Sequence, residues 1–127
     1  MRGIIIKFEN AGEVVVEFID KNKKTQEAII KALPFESEAN LWGEEVYFST
    51  PVSVDLESPQ EVVKVGDVGY WPPGKAICLF FGLTPISTSI NEIKPASPVN
   101  VFGRIVKGLD VLRKVREGEK IKVLPLA

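Results

Sequence analysis

Apolar and polar positions change period several times along the chain, and those changes predict its elements. Gly3 to Phe8 is rich in isoleucine, and Glu13 to Ile19 is rich in β-branched residues. Asn10-Ala11-Gly12 between them supplies turn residues, so the two runs predict a hairpin. Asp20 and Asn22 are suited to capping a helix, and Ala28, Ile29, Ala32 and Leu33 fall at helical spacing. A helix is expected over 22–32, ending before Pro34. From Leu33 to Leu41 the period is two, which predicts one strand with a wet face. Glu44 to Ser49 predicts another strand, and Val52 and Val54 a short edge piece after Pro51.

Gly66-Asp67 marks a turn before a strand over 68–71, and Pro73-Gly74 fits the central pair of a type II turn. Ala76 to Phe81 is a continuous apolar run of the kind that forms a fully buried strand. Residues 82–98 carry Pro85, Pro95 and Pro98 among serines and threonines, and read as a surface excursion. A strand over 99–106, a short helix over 108–115 and a last strand over 119–124 complete the chain. Helices do not alternate with strands, which disfavours a doubly wound parallel sheet. Many short strands favour an antiparallel sheet closed on itself, because closure removes exposed edges. The expected fold is therefore mainly β, a closed antiparallel barrel capped by two helices, in one domain over 1–127.

Composition narrows the chemistry. Histidine is absent, which excludes Ser–His and Cys–His nucleophile systems and the commonest metal ligand. Cys78 is the only cysteine, so neither an intrachain disulfide nor a cysteine cluster for zinc can form. It reads as a small core residue. The 16 basic and 17 acidic side chains are dispersed, without the basic stripe that nucleic acid would require. No apolar run is long enough to span a bilayer, and Met1-Arg2-Gly3-Ile4 leads into strand-like sequence rather than a secretory leader. These features predict a cytoplasmic protein with no metal, no cofactor, and neither nucleic acid nor membrane as partner. Abundant Lys and Glu with scarce Met and Gln tilt the composition toward a thermophilic source.

Val101-Phe102-Gly103-Arg104-Ile105-Val106-Lys107-Gly108-Leu109-Asp110-Val111-Leu112 resembles the cyclophilin pattern in which a Val-Phe-Gly-Lys-Val strand meets a Gly-Met-Asp-Val-Val helix. Gly118 to Val123 resembles that family's last strand, and Cys78-Leu79-Phe80-Phe81-Gly82 resembles its Ser-Gln-Phe-Phe-Ile strand. Leu41-Trp42-Gly43-Glu44-Glu45-Val46-Tyr47-Phe48 and the stretch Gly66 to Lys75 are similar to short prokaryotic cyclophilin-like proteins of unassigned function. The resemblance implies an eight-stranded antiparallel barrel with two capping helices. Cyclophilins bind a proline-containing peptide on the outer barrel wall, where an arginine polarises the prolyl amide. Of that set only Phe81, at the second phenylalanine position, carries over. No arginine stands between Arg2 and Arg104, so no catalytic residue is assigned.

The two Trp and two Tyr residues, Trp42, Tyr47, Tyr70 and Trp71, all fall in two strand regions. Brought together they would line a cleft with apolar area and polar tips; plain packing at a barrel end competes with that reading. Of the adjacent Glu44 and Glu45 only one can enter such a cleft, because strand neighbours point to opposite faces. It would recognise a cation or a hydrogen-bond donor. The expected site is Trp42, Glu44, Tyr47, Tyr70, Trp71 and Phe81. The leading functional expectation is a non-catalytic binding module for a small molecule or an extended proline-containing peptide. A weak or divergent prolyl isomerase and a structural domain that forms homo-oligomers are the alternatives.

Overall fold

The computed structural model describes residues 2–127. Nine strands form one antiparallel sheet: β1 (Gly3–Phe8), β2 (Gly12–Phe18), β3 (Phe35–Glu38), β4 (Asn40–Leu41), β5 (Glu45–Ser49), β6 (Asp67–Trp71), β7 (Ala76–Phe80), β8 (Asn100–Lys107) and β9 (Lys120–Leu126). Helix α1 spans Lys23–Ala32, and a 3₁₀ segment spans Leu109–Lys114. The strand order is β3-β9-β1-β2-β8-β6-β7-β5-β4. Its two ends, β3 and β4, are separated in the chain only by Ala39. That buried alanine donates its N–H to the Glu119 carbonyl at 2.8 Å and accepts from Gly118 N–H at 2.8 Å. The chain therefore crosses from the β9 edge to the β5 edge at one residue, and the Ser37 hydroxyl donates to the Ser49 carbonyl at 2.7 Å across the seam. The sheet is a nearly closed barrel.

This crossing is why there are nine strands and not eight. The single strand expected over 33–41 breaks at Ala39 into β3, which pairs with β9, and β4, which pairs with β5. Three other expectations need correction. The second helix is 3₁₀ throughout, and Val52–Val54 forms no strand. The turn after β6 is a 3₁₀ turn over Pro72–Gly74 in which Lys75, not Gly74, takes the left-handed conformation at φ 47°.

Asn22 precedes α1 at φ 58°, but its side chain makes no cap. It reaches instead to the Val101 carbonyl at 2.7 Å and accepts from Ser58 N–H at 2.7 Å. The open N–H groups of α1 are met by the distant Glu57 carboxylate, which accepts from Lys24 and Thr25 N–H at 3.2 Å each. Burial pulls that carboxyl up, but these bonds, with the Thr25 hydroxyl and the nearby Lys24 charge, outweigh it and hold it below its ordinary value.

The barrel interior is filled by Ile4, Ile6, Val14, Val16, Phe48, Tyr70, Leu79 and Phe102 with α1's Ile29 against them. A second, smaller cluster lies on the other side of the wall and joins Val63, Cys78, Phe80, Ile93, Val99 and Val101. Two clusters explain the unbroken apolar run of β7. Ile77 and Leu79 face the interior, while Cys78 and Phe80 face outward and are buried all the same. The cover is the excursion 82–98, tied to the rest of the chain by backbone bonds between Val63 and Ile93 and, at its end, between Gln60 and Val99.

Candidate functional site

Alternation along three adjacent strands builds a cavity on this outer wall. On β5, Val46 and Phe48 point into the barrel, so Glu45 and Tyr47 point out. Tyr47 stands opposite Cys78 on β7, and Cys78 stands opposite Gly69 on β6. Trp71, two residues after Gly69, shares that outer face. Trp42 joins them through a two-residue turn. Its N–H and carbonyl exchange bonds with Glu45 at 3.0 and 3.2 Å, and Gly43 supplies the positive φ (60°) that such a turn needs. Residues opposed across a hairpin share a face, so Trp42 and Glu45 stand together.

The result is a cavity of about 260 Å³ lined by Trp42, Glu45, Tyr47, Trp71, Cys78, Pro95, Ala96 and Val99. Strands supply its floor and the excursion its roof. The indole N–H of Trp71 donates to the Ser97 hydroxyl at 2.6 Å, which pins the roof to the wall. At Gly69 an added Cβ would fall 2.9 Å from a Val99 methyl, so the missing side chain is what lets Val99 close against β6.

Glu45 is the polar centre. It is only 5% exposed, and among the described residues its Oε1 has no hydrogen-bond partner. Burial lifts its carboxyl to about 7, an effect the adjacent Cys78 thiol offsets in part. Burial also pushes the Cys78 thiol well up, and the neighbouring Glu45 pushes it further in the same direction. Cys78 is thus a neutral thiol at ordinary pH and a poor nucleophile. A carboxyl that titrates near neutrality beside aromatic rings can accept a hydrogen bond, pair with a cation or exchange a proton. Among the described residues no group of three His, Cys, Asp or Glu side chains converges as a metal would require.

The expected site residues divide between three places. Trp42, Tyr47 and Trp71 line the cavity together. Tyr70 does not: it lies inside the barrel, fully buried, and its hydroxyl donates to the Val52 carbonyl at 2.6 Å. Glu44 occupies the turn, and its carboxylate accepts from Arg113 Nη1 at 2.6 Å and Leu83 N–H at 3.2 Å. The Arg113 bond, with that from Leu83, holds the Glu44 carboxyl below its ordinary value. Phe81 lies on the interior face at the barrel end, with the Arg113 guanidinium 5.5 Å from its ring centre. The phenylalanine on the cavity's side of the wall is Phe80.

The acid in the cavity is therefore Glu45, not Glu44. A signal for it was present in the chain: once Tyr47 is placed on the outer wall, period two selects Glu45. The same rule separates Trp71 from Tyr70. A larger hollow of about 810 Å³ opens over β1, β3 and β9, but it is rimmed by exposed Lys7, Glu36, Glu38, Lys120 and Lys122. Among the described residues that line it, none carries a buried unpartnered polar atom.

The chain matches the cyclophilin-like family model over residues 2–124 and belongs to that family. The chain is similar to the hypothetical protein AF2241 from Archaeoglobus fulgidus, whose solution structure superposes with a TM-score of 0.81 at 46% identity. The match covers 98% of this chain and 95% of that one. No curated protein matches the chain. Among the described residues, no helix is long and apolar enough to cross a membrane.

Proposed function

We propose that this protein is a binding protein that holds a small organic molecule in the outer-wall cavity, oriented by Glu45. The observation that carries this reading is the unpartnered Oε1 of Glu45 at the floor of an aromatic-lined space. Burying a polar atom without a partner costs about 1–3 kcal/mol. A donor on a ligand would remove that cost. Three aromatic rings and the apolar Pro95, Ala96 and Val99 then supply the contact area. The volume is at the small end for ligand sites, which favours a compact molecule or a single side chain over a long peptide.

Prolyl isomerisation would need a donor aimed at the prolyl nitrogen. Among the described residues that line this cavity none is Lys or Arg; Arg113 is engaged with Glu44 and Phe81. The test is a titration of a chemically varied panel of amines, alcohols, amides, carboxylates and an X-Pro peptide, followed by the indole N–H signals of Trp42 and Trp71. Saturable shifts of both indoles are expected with at least one class. The absence of any shift across the panel at millimolar concentration would refute the reading. Catalysed cis–trans exchange of the X-Pro peptide would replace it with an isomerase.

A further inference from the structure

The chemistry of the cavity wall narrows what it would hold. Among the described residues the one carboxyl inside is Glu45, and the other titratable groups that face it are the Cys78 thiol from β7 and the Tyr47 phenol from its own strand. Among the described residues no Lys or Arg lines the space. An ionised Glu45 would thus be a buried negative charge with no counter-charge, an arrangement that folded proteins rarely tolerate without a partner. An anionic ligand would make it worse. A neutral donor would satisfy Oε1 but leave the charge unpaired. Trp and Tyr rings attract cations over their faces, Trp most strongly, and here two Trp and one Tyr surround the acid. An organic cation with an N–H answers the carboxylate and the rings together.

We propose, resting on the binding reading above, that the ligand is an organic ammonium with at least one N–H, its charged group received by Glu45 and its apolar body held among Trp42, Tyr47 and Trp71. Binding then requires the carboxylate, so protonation of Glu45 competes with the ligand. Affinity is highest above neutrality and falls as the carboxyl takes up its proton, approaching about tenfold per pH unit well below the midpoint.

The experiment compares benzylammonium with benzyl alcohol, its neutral counterpart, on the full chain by indole N–H titration at about pH 5 and about pH 8. Benzylammonium stays protonated across that range. It is expected to bind more than tenfold more tightly than the alcohol at the higher pH, and to lose more than tenfold at the lower. In Glu45→Gln, checked for an unchanged amide spectrum, the two probes are expected to bind alike, with no pH dependence. Equal binding of both probes to the wild type at both pH values would overturn the ammonium assignment and leave the cavity reading standing. Failure of benzylammonium to bind, while another class from the panel does, would overturn it in the same way. Failure of every compound would overturn both.

Discussion

Replacing Glu45 by Gln is expected to stabilise the empty protein at neutral pH, although it removes a charge. The carboxyl rises from its ordinary 4.5 to about 7 because it is buried. Between those two values the native state holds a proton that the unfolded state has released, so stability falls as pH rises through this window and levels off above it. At roughly 1.4 kcal/mol per pH unit, the full penalty is about 3 kcal/mol. Most of it, about 2 kcal/mol, accrues between about pH 5 and about pH 7.5. Glu44, Glu57 and Glu119 are all held below their ordinary values, so they stay ionised in this window and leave its slope to Glu45. The assay is urea denaturation of both proteins at the two pH values. With an m-value of about 2 kcal/mol/M, the wild-type midpoint should drop by about 1 M while the Gln variant's midpoint stays in place. An equal midpoint change in both proteins would refute the argument, because it would mean that Glu45 is solvated or already paired.

Three further substitutions test the frame around the cavity. Tyr70→Phe removes the hydroxyl bonded to Val52 inside the barrel and should cost about 1–2 kcal/mol in urea denaturation, while leaving any ligand affinity at the outer wall unchanged. Gly69→Ala sets a methyl 2.9 Å from Val99, and should cost about 1–3 kcal/mol and displace the Trp71 indole signal. Glu57→Ala opens the N-terminus of α1 and should cost about 1 kcal/mol near pH 7. Because the folded Glu57 carboxyl is held low, that contribution is present above the ordinary carboxylate value and disappears as pH falls through the folded one, so the two proteins should converge in acid.

Local chemistry made much of the fold legible. The first hairpin, α1 and the buried strand β7 follow from turn residues, helical spacing and an apolar run, and each is where those patterns place it. The sequence motifs around Val101–Leu112 and Cys78–Gly82 resemble those of the family to which the chain belongs. The break at Ala39 was not legible, because nothing local distinguishes a straight alternation over 33–41 from one that turns to close a barrel. Ala39 bends because Gly118 and Glu119, eighty residues away in the chain, supply its hydrogen bonds. Glu57 as the cap of α1 is hidden for the same reason, since Asp20 and Asn22 are nearer and better suited by type. The cavity was half legible. Composition singled out the aromatics, but the face each one takes depends on register, and a shift of one residue exchanges Glu45 for Glu44 and Trp71 for Tyr70.

The two faces of the wall answer to different requirements, and the difference argues that the cavity is more than a packing defect. Inside the barrel the strands contribute mainly apolar side chains, and the polar groups buried there are answered: the Tyr70 hydroxyl donates to the Val52 carbonyl, and the Asn100 amide, opposite Tyr70, donates to the Asp55 carbonyl at 3.0 Å. A core assembled by the same rule on the outer wall would place another apolar side chain at 45, as at Phe80 or Val101 in the same cluster. Instead a carboxyl stands there with one oxygen unanswered, under a roof fastened by Ser97. Elsewhere the chain answers its buried carboxylates. Asp67 meets Arg104 at 2.8 Å and Lys64 N–H at 2.9 Å, and Glu119 accepts from Asn10 and Ala11 N–H at 2.7 Å each. Among the described residues the other buried acids, Asp67 and Glu119, are answered from within the chain and Glu45 is not, which is the contrast that supports the proposed ligand.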